Sequence, residues 1–319
     1  MIELIEKGVY YSTGKLLFKS QIENAEIPSD AKEKTLSYRV LRAHSVRDKD
    51  LNNMHFRFDT LVSAGEESVS IIKKADSDKL EYFPVPYVLG SYDEKENAFS
   101  LSAAKRFGGV FAPLNGRELY DYVCSRLVSC GNMVLAQGGA QWCGSLGCIC
   151  IKGSADEYDR QLKVQTFDLT APELVIVLVE GELKDGNAAY VAKCLKDAVS
   201  DGRFADKVIE FNGSGLANLT WQQRAEIDAA LDEKVCLATM WNTENGVKEY
   251  FDLIRRPEAY DSMKASDGAY YDYAIKIDLS KAEKLDSDFE IKTFDDKFLN
   301  KKCYNGFPIP NPNVKLEDI

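Results

Sequence analysis

Leu174-Val175-Ile176-Val177-Leu178-Val179-Glu180-Gly181 is the run that decides how the chain is read. Its apolar stretch, from Leu174 to Val179, is unbroken, and Val175, Ile176, Val177 and Val179 are β-branched. A strand with one face in water alternates apolar and polar side chains. An unbroken run therefore predicts a strand covered on both faces, as in a parallel sheet. It is of strand length and far short of the roughly 20 residues that cross a bilayer. Strand-like and helix-period segments alternate after it. Residues 188–199 form an amphipathic helix pattern, and 207–211 read as a strand. Thr220-Trp221-Gln222-Gln223 has the form of a capping box opening a helix to about Leu231. Residues 235–240 are strand-like, Thr243 is placed to cap a helix over 247–254, and 271–279 alternate as a strand.

The same rhythm runs upstream. Residues 56–63 alternate with period two, 68–75 read as a short helix, and 82–89 read as a strand. Pro84 and Pro86 make that strand an edge or an irregular one. A helix over 99–107, a short strand over 109–112, a helix capped by Asn115 and running to about Val128, and a strand over 133–136 follow. Alternation of this kind predicts an α/β layered fold. A length of 319 residues suggests two domains. The predicted division is 1–166, 167–281 and an irregular C-terminal arm over 282–319, which is charge-dense and then rich in Pro and Asn.

Composition narrows the function classes. Forty Lys and Arg stand against 51 Asp and Glu, a net charge of −11 with no basic block. Phosphate neutralisation needs clustered cations, so nucleic acid is an unsuitable partner. No run is long enough for a membrane span, and the N-terminus lacks the basic and apolar regions of a signal peptide, so the expected location is the cytoplasm. Eight Cys in a chain this long are not a secreted disulfide framework. The two histidines, His44 and His55, leave little room for chemistry that needs several imidazoles.

Four features are candidates for chemistry. The first is the Gly-rich stretch that follows strand 133–136, Gln137-Gly138-Gly139-Ala140-Gln141-Trp142-Cys143-Gly144-Ser145-Leu146-Gly147. Backbone N–H groups in such a turn can cradle an anion, although it is neither a Walker loop nor a dinucleotide fingerprint. The plain alternative is a turn packed against a neighbouring strand. The second is the cysteine group Cys143, Cys148 and Cys150, with Cys124 and Cys130 upstream. Its spacing matches neither zinc nor iron–sulfur motifs, and buried thiols are common, so no metal is assigned. Cys194 and Cys236 read as core residues. The third is the histidine pair, which has no triad pattern beside it. The fourth is Glu233 at the end of the 220–231 helix, where a carboxylate opposes the helix dipole. The late tyrosines Tyr250, Tyr260, Tyr270, Tyr271 and Tyr273 read as core or interface residues.

Several of these segments together resemble the aconitase superfamily. They are the 174–181 run, Lys207-Val208-Ile209-Glu210-Phe211-Asn212-Gly213-Ser214-Gly215-Leu216, Leu219-Thr220, and Arg256-Pro257-Glu258-Ala259-Tyr260, which is similar to the family's R-P-x-x-Y segment. Leu41-Arg42-Ala43-His44 and Ala104-Lys105-Arg106-Phe107-Gly108-Gly109 look like the aconitase-like hydratase branch. The likeness spans residues 1 to about 281. It implies aconitase-like α/β/α layers in two tandem domains, followed in full-length members by a cluster-bearing domain and a swivelling domain.

The departures bear on activity. Active members carry G-x-D-S-H-T after the strand at 133–136. Here Gly138, Gly139 and Ala140 stand at the Asp, Ser and His positions, while the trailing G-x-L-G survives as Gly144-Ser145-Leu146-Gly147. A family histidine falls on Tyr120, and another lies where the chain shortens to Gly90-Ser91-Tyr92-Asp93. The carboxylate matching Glu233 remains. The family's cluster cysteines belong to a domain that this chain stops short of, and its own Cys do not match them.

The resemblance therefore implies a non-catalytic aconitase-like module that binds a small carboxylate or a partner. Gln137, Gly138, Gly139, Gln141 and Tyr120 are its expected ligand-binding residues and Glu233 its surviving catalytic carboxylate. The alternative is one subunit of a split hydro-lyase, with a 4Fe-4S cluster supplied only by a second aconitase-like subunit and the C-terminal arm as docking element. A new enzyme built on Cys143, Cys148 and Cys150 ranks last, because a reactive thiolate needs an electropositive setting.

Overall fold

The computed structural model describes residues 1–18, 30–46, 54–137, 142–184, 187–231, 234–284 and 310–317. The chain opens with strands β1 (Ile2–Ile5), β2 (Val9–Ser12) and β3 (Lys15–Phe18), then helix α1 (Leu36–His44). The next stretch runs β4 (Met54–Phe56), β5 (Thr60–Ala64), α2 (Gly65–Ser77), β6 (Tyr87–Gly90), α3 (Glu94–Phe107), β7 (Val110–Phe111), α4 (Gly116–Arg126), β8 (Met133–Ala136), β9 (Ile149–Lys152) and α5 (Ala155–Val164). It is followed by β10 (Phe167–Leu169), β11 (Leu174–Glu180), α6 (Ala188–Ala198), β12 (Val208–Asn212), α7 (Trp221–Ala229), β13 (Ala238–Trp241), α8 (Asn245–Leu253), β14 (Ala269–Tyr271) and β15 (Tyr273–Asp278).

The decisive run is the centre of a sheet, as its composition requires. β11 pairs in parallel with β12 on one side and β15 on the other, in a sheet ordered β1-β15-β11-β12-β13. Val175 to Val179 are buried on both faces. The first parallel sheet is ordered β7-β6-β5-β8-β9. The α/β class read from the sequence holds. The division expected at 166/167 puts residues 1–18 with the first sheet, but β1 pairs with β15 and β2 with β14. In turn, β10 reaches back to β4.

The two sheets share their interior. One apolar cluster joins Leu61, Ile72, Phe99 and Leu135 of the first sheet's layer to Ile176, Val208 and Met240 of the second. A buried carboxylate fastens α1 to the second sheet. Glu210 accepts the N–H groups of Leu36 (3.1 Å) and Ser37 (2.7 Å), the Ser37 hydroxyl (2.7 Å), the Tyr271 hydroxyl (2.6 Å) and the Asn212 amide (3.1 Å). Those bonds satisfy the helix's orphan donors, which water cannot reach.

Several expected elements shift for local reasons. The 56–63 alternation breaks into β4 and β5, and the predicted strand over 82–89 shrinks to β6 because Pro84 and Pro86 cannot donate to a ladder. Asn115 does sit at the N-cap of α4, but its side chain makes no cap bond. Thr220 and Gln223 form the expected capping box. Thr243 does not cap α8. Its hydroxyl donates to Asp261 O (2.6 Å) and accepts the Met263 N–H (2.6 Å), and Glu244 takes the cap position. The 271–279 strand is interrupted at Asp272, whose carboxylate accepts the Leu174 N–H (2.9 Å) and pairs with Lys32 (3.0 Å). Cys236 is buried as expected, but Cys194 is only half-buried, on α6. Of the C-terminal arm, 285–309 lie outside the described residues, and 310–317 lie along α3. Asn311 N–H donates to Lys105 O (3.2 Å), Arg106 to Val314 O (3.0 Å), and Glu317 N–H to the Ser102 hydroxyl (3.0 Å).

Candidate functional site: a crevice at a strand-order reversal

In the first sheet the chain lays down β5, β6 and β7 in one direction, then returns to lay β8 and β9 on the other side of β5. Loops leaving the C-terminal ends of β5 and β8 must then part to opposite faces. Open α/β sheets bind ligands in the crevice at such a reversal, which makes this end of β5 and β8 the candidate site. The loop leaving β8 is the Gly-rich stretch that begins at Gln137.

On the β5 side, Gly65 opens α2 with φ +69°, and no side chain caps the preceding Ala64. The Tyr92 ring occupies the space beside it, 2.4 Å from where a Cβ would stand, so only glycine fits. Tyr92 is 59% exposed, and its N–H donates to Glu96 Oε2 (2.7 Å). On the β8 side, the Gln137 N–H donates to Val62 O (3.0 Å). Its side chain is 9% exposed, and Oε1 finds no hydrogen-bond partner among the described residues.

Beyond the loop the chain is anchored firmly. Trp142 is fully buried, donates Nε1–H to Asp121 Oδ1 (2.9 Å), and packs against Tyr250 and Trp221 at ring separations of 5.7 and 6.2 Å. The 3-10 turn Cys143–Leu146 then meets the second sheet. There Asp228 on α7 accepts the Ser145 N–H (3.0 Å) and the Trp241 indole N–H (2.8 Å). Burial pushes the Asp228 carboxyl up to about 7, against the lowering effect of Thr239, Trp241 and the Ser145 amide.

Behind the turn lie the cysteines. Cys143 Sγ is 3.5 Å from Cys124 Sγ and is also hydrogen-bonded to Cys150. Cys148 donates to Ser129 O (3.2 Å). Burial raises Cys124, Cys148 and Cys150 well above the ordinary thiol value. Cys143 is held well below it by the bonds from Cys124 and Cys150. Tyr120, on α4, is buried beside this group and its phenol is raised by burial.

The structure thus brings Gln137 to the crevice and puts Tyr120 behind it, among the sulfurs. Gly138, Gly139, Gln141 and Glu233 lie outside the described residues. Gly65, Tyr92 and Asp228 were not singled out from the sequence. The Gly65 position was the more findable of these, since a glycine directly after a strand and before a helix is a known phosphate-loop setting. Asp228 is an isolated acid in a helix, and nothing local marks it.

The histidines lie away from the crevice. His44 Nε2 is 2.9 Å from Asp59 Oδ2, and Nδ1 is 2.8 Å from Val40 O. Burial opposes its protonation, but the bonds to Asp59 and Val40 raise its pKa overall. Asp59 precedes β5, at the opposite end of the strand from Gly65. His55 sits opposite Asp168 in the β4–β10 ladder, with Nδ1 2.5 Å from its carboxylate. A cleft of about 950 Å³ also lies away from the reversal. Tyr11, Arg39, Cys130, Asp261 and Lys264 line it, and it contains none of the expected ligand-binding residues.

Among the described residues, the sulfurs of this cluster are not arranged to hold an iron–sulfur cluster. Cys124 and Cys143 pack directly against each other within an apolar cluster that also holds Cys148 and Cys150. Among the described residues no group of three or more His, Cys, Asp or Glu is placed to hold a metal ion. Among the described residues, too, no helix is long and apolar enough to cross a membrane.

The sheet order defines an α/β protein with parallel sheets and a candidate site at the reversal. Comparison gives a likeness over about half of the chain: residues 130–285 match the aconitase family, described as aconitate hydratase. Over that stretch the chain is similar to the aconitase superfamily, as its motifs indicated. The 3-isopropylmalate dehydratase large subunit 1 of Thermotoga maritima is 30% identical over 116 residues, 36% of this chain and 28% of the relative. The 3-isopropylmalate dehydratase large subunit of Elusimicrobium minutum is 25% identical over 185 residues, 56% of this chain and 44% of the relative. The chain therefore aligns with less than half the length of either relative.

Proposed function

We propose that the chain is a non-catalytic aconitase-type module that binds a small hydroxy-carboxylate at the β5/β8 crevice. The observation that carries this reading is the strand-order reversal, which sets Gln137 at the end of β8 beside the end of β5, where α2 starts uncapped. A carboxylate there would accept backbone N–H groups from the loop and the helix start, and Gln137 would bond its hydroxyl. Both histidines are engaged elsewhere, so no imidazole stands ready to move a proton at the crevice. Gly138, Gly139 and Ala140 add no acid or base. Because net charge is −11, binding relies on these local donors.

The test is calorimetric titration of the full chain with 3-isopropylmalate, citrate and a monocarboxylate control. Saturable binding of the di- and tricarboxylates, weakened about tenfold or more by Gln137→Ala, supports the reading. Identical weak heats for all three acids would sink it.

A second reading is favoured by the relatives' names. Both are large subunits, a term that presupposes a smaller one. On this reading the chain is part of a split hydro-lyase, Glu233 acts across the interface, and another polypeptide holds the 4Fe-4S cluster. Hydratase activity that appears only when a second chain is added anaerobically would favour it over the first. Stoichiometric iron bound by this chain alone would contradict both.

A further inference from the structure

We infer that Cys124 and Cys143 form a reversible oxidation site, closing to a disulfide that ties α4 to the turn following the crevice loop. The two sulfurs already touch at 3.5 Å, and both side chains are fully buried. Cys150 is a second thiol hydrogen-bonded to Cys143. The hydrogen bonds from Cys124 and Cys150 favour the charged form of the Cys143 sulfur, against the opposing effect of burial. The other thiols are placed differently. Cys148 is committed to the Ser129 carbonyl, and Cys130 and Cys194 are partly open and sit elsewhere.

The oxidant is a small hydroperoxide. The Cys143 thiolate attacks a peroxide oxygen, the O–O bond breaks, and the leaving hydroxide takes up a proton to become water. Cys143 is then a sulfenic acid. The Cys124 sulfur attacks the Cys143 sulfur, its proton passes to the departing hydroxyl, and a second water leaves. Two thiols have lost two electrons to one peroxide, and a dithiol reductant reverses the change. The bond joins α4, which holds Asp121, to the residue directly after Trp142. Trp142 is already held by Asp121 through its indole N–H. The exit of the crevice loop would thus be fixed covalently as well as by hydrogen bond.

Trypsin separates the partners. Cleavage after Arg117 and Arg126 leaves Cys124 in residues 118–126, and cleavage after Lys152 leaves Cys143 in residues 127–152. The reduced full-length chain is treated with hydrogen peroxide under native conditions, alkylated and digested without reduction. The expected result is a linked pair of these peptides, with fragmentation placing the bond at Cys143. Two of the eight thiols are lost, and dithiothreitol restores them. Cys143→Ser abolishes the link, while Cys150→Ser keeps it. Oxidation confined to Cys130 or Cys194, a bond from Cys143 to Cys150, or a link that forms only in urea would each overturn the inference.

Discussion

Asp228 shows how much a single side chain carries here. It accepts hydrogen bonds from Ser145 on the first sheet's side and from Trp241 on the second's, so it joins the two at the turn beyond the crevice. Its carboxyl titrates at about 7 when folded, against the usual value near 4 when unfolded. The folded chain therefore holds a proton that the unfolded chain releases between those values. Stability is greatest at the acidic end of this window and falls as pH rises toward 7. Asp228→Asn removes the titration. It also presents an amide where one acceptor is needed, at a cost of about 1–3 kcal/mol. Urea midpoints at pH 5 and pH 8 check this: the gap between wild type and variant narrows or reverses at pH 8. A gap that does not change with pH would mean that Asp228 is ionised throughout. Nothing in the residues around Asp228 makes this legible in sequence, because its environment is assembled by Ser145, Thr239 and Trp241 from distant segments. Gln137 stands out in the sequence, because it directly follows a strand and begins a Gly-rich run.

At the scale of elements, most of the helices and strands were written locally. The apolar run of β11 and the Thr220–Gln223 capping box each specify their element without outside help. Thr243 misled because a hydroxyl before a helix is a cap only if no better partner competes. Here the chain at Asp261 and Met263 competes and wins. The surviving G-x-L-G turn has a tertiary role of the same kind. A Cβ on Gly144 would stand 1.9 Å from the Thr239 hydroxyl and 3.0 Å from Asp228 Oδ2. Gly144→Ala should therefore push the turn off β13, costing about 1–3 kcal/mol through overpacking. The same substitution at Gly116, which has nothing within 4 Å, is the control for space, although its φ of +49° also disfavours alanine. Thermal unfolding should show the larger loss at Gly144. Equal losses at both positions would mean that packing against Thr239 contributes nothing.

At the scale of the whole molecule, the ends of the chain do the joining. β1 closes one edge of the second sheet, and residues 310–317 return to α3 on the first sheet's layer, where Leu316 packs against the shared core. Leu316→Ala removes that anchor. Its partial burial puts the expected loss at about 1–2 kcal/mol, below the usual range for a fully buried leucine. Chemical denaturation measures the loss. Unchanged stability would mean that the arm's docking is held by its backbone bonds to Lys105, Arg106 and Ser102 alone.

The sequence by itself determined the α/β class, the apolar spine of the parallel sheets, the Thr220–Gln223 capping box and the aconitase-like motifs, because each rests on spacing within a few residues. Only the tertiary structure decided the rest. It put β1 beside β15, β10 beside β4, the arm on α3, and the β5 and β8 ends next to each other at the reversal. It also brought Cys124 against Cys143 and buried Asp228 between the sheets. These are pairings between residues far apart in the chain. They are set by which apolar faces cover one another and which buried polar groups find partners, and no local pattern encodes either.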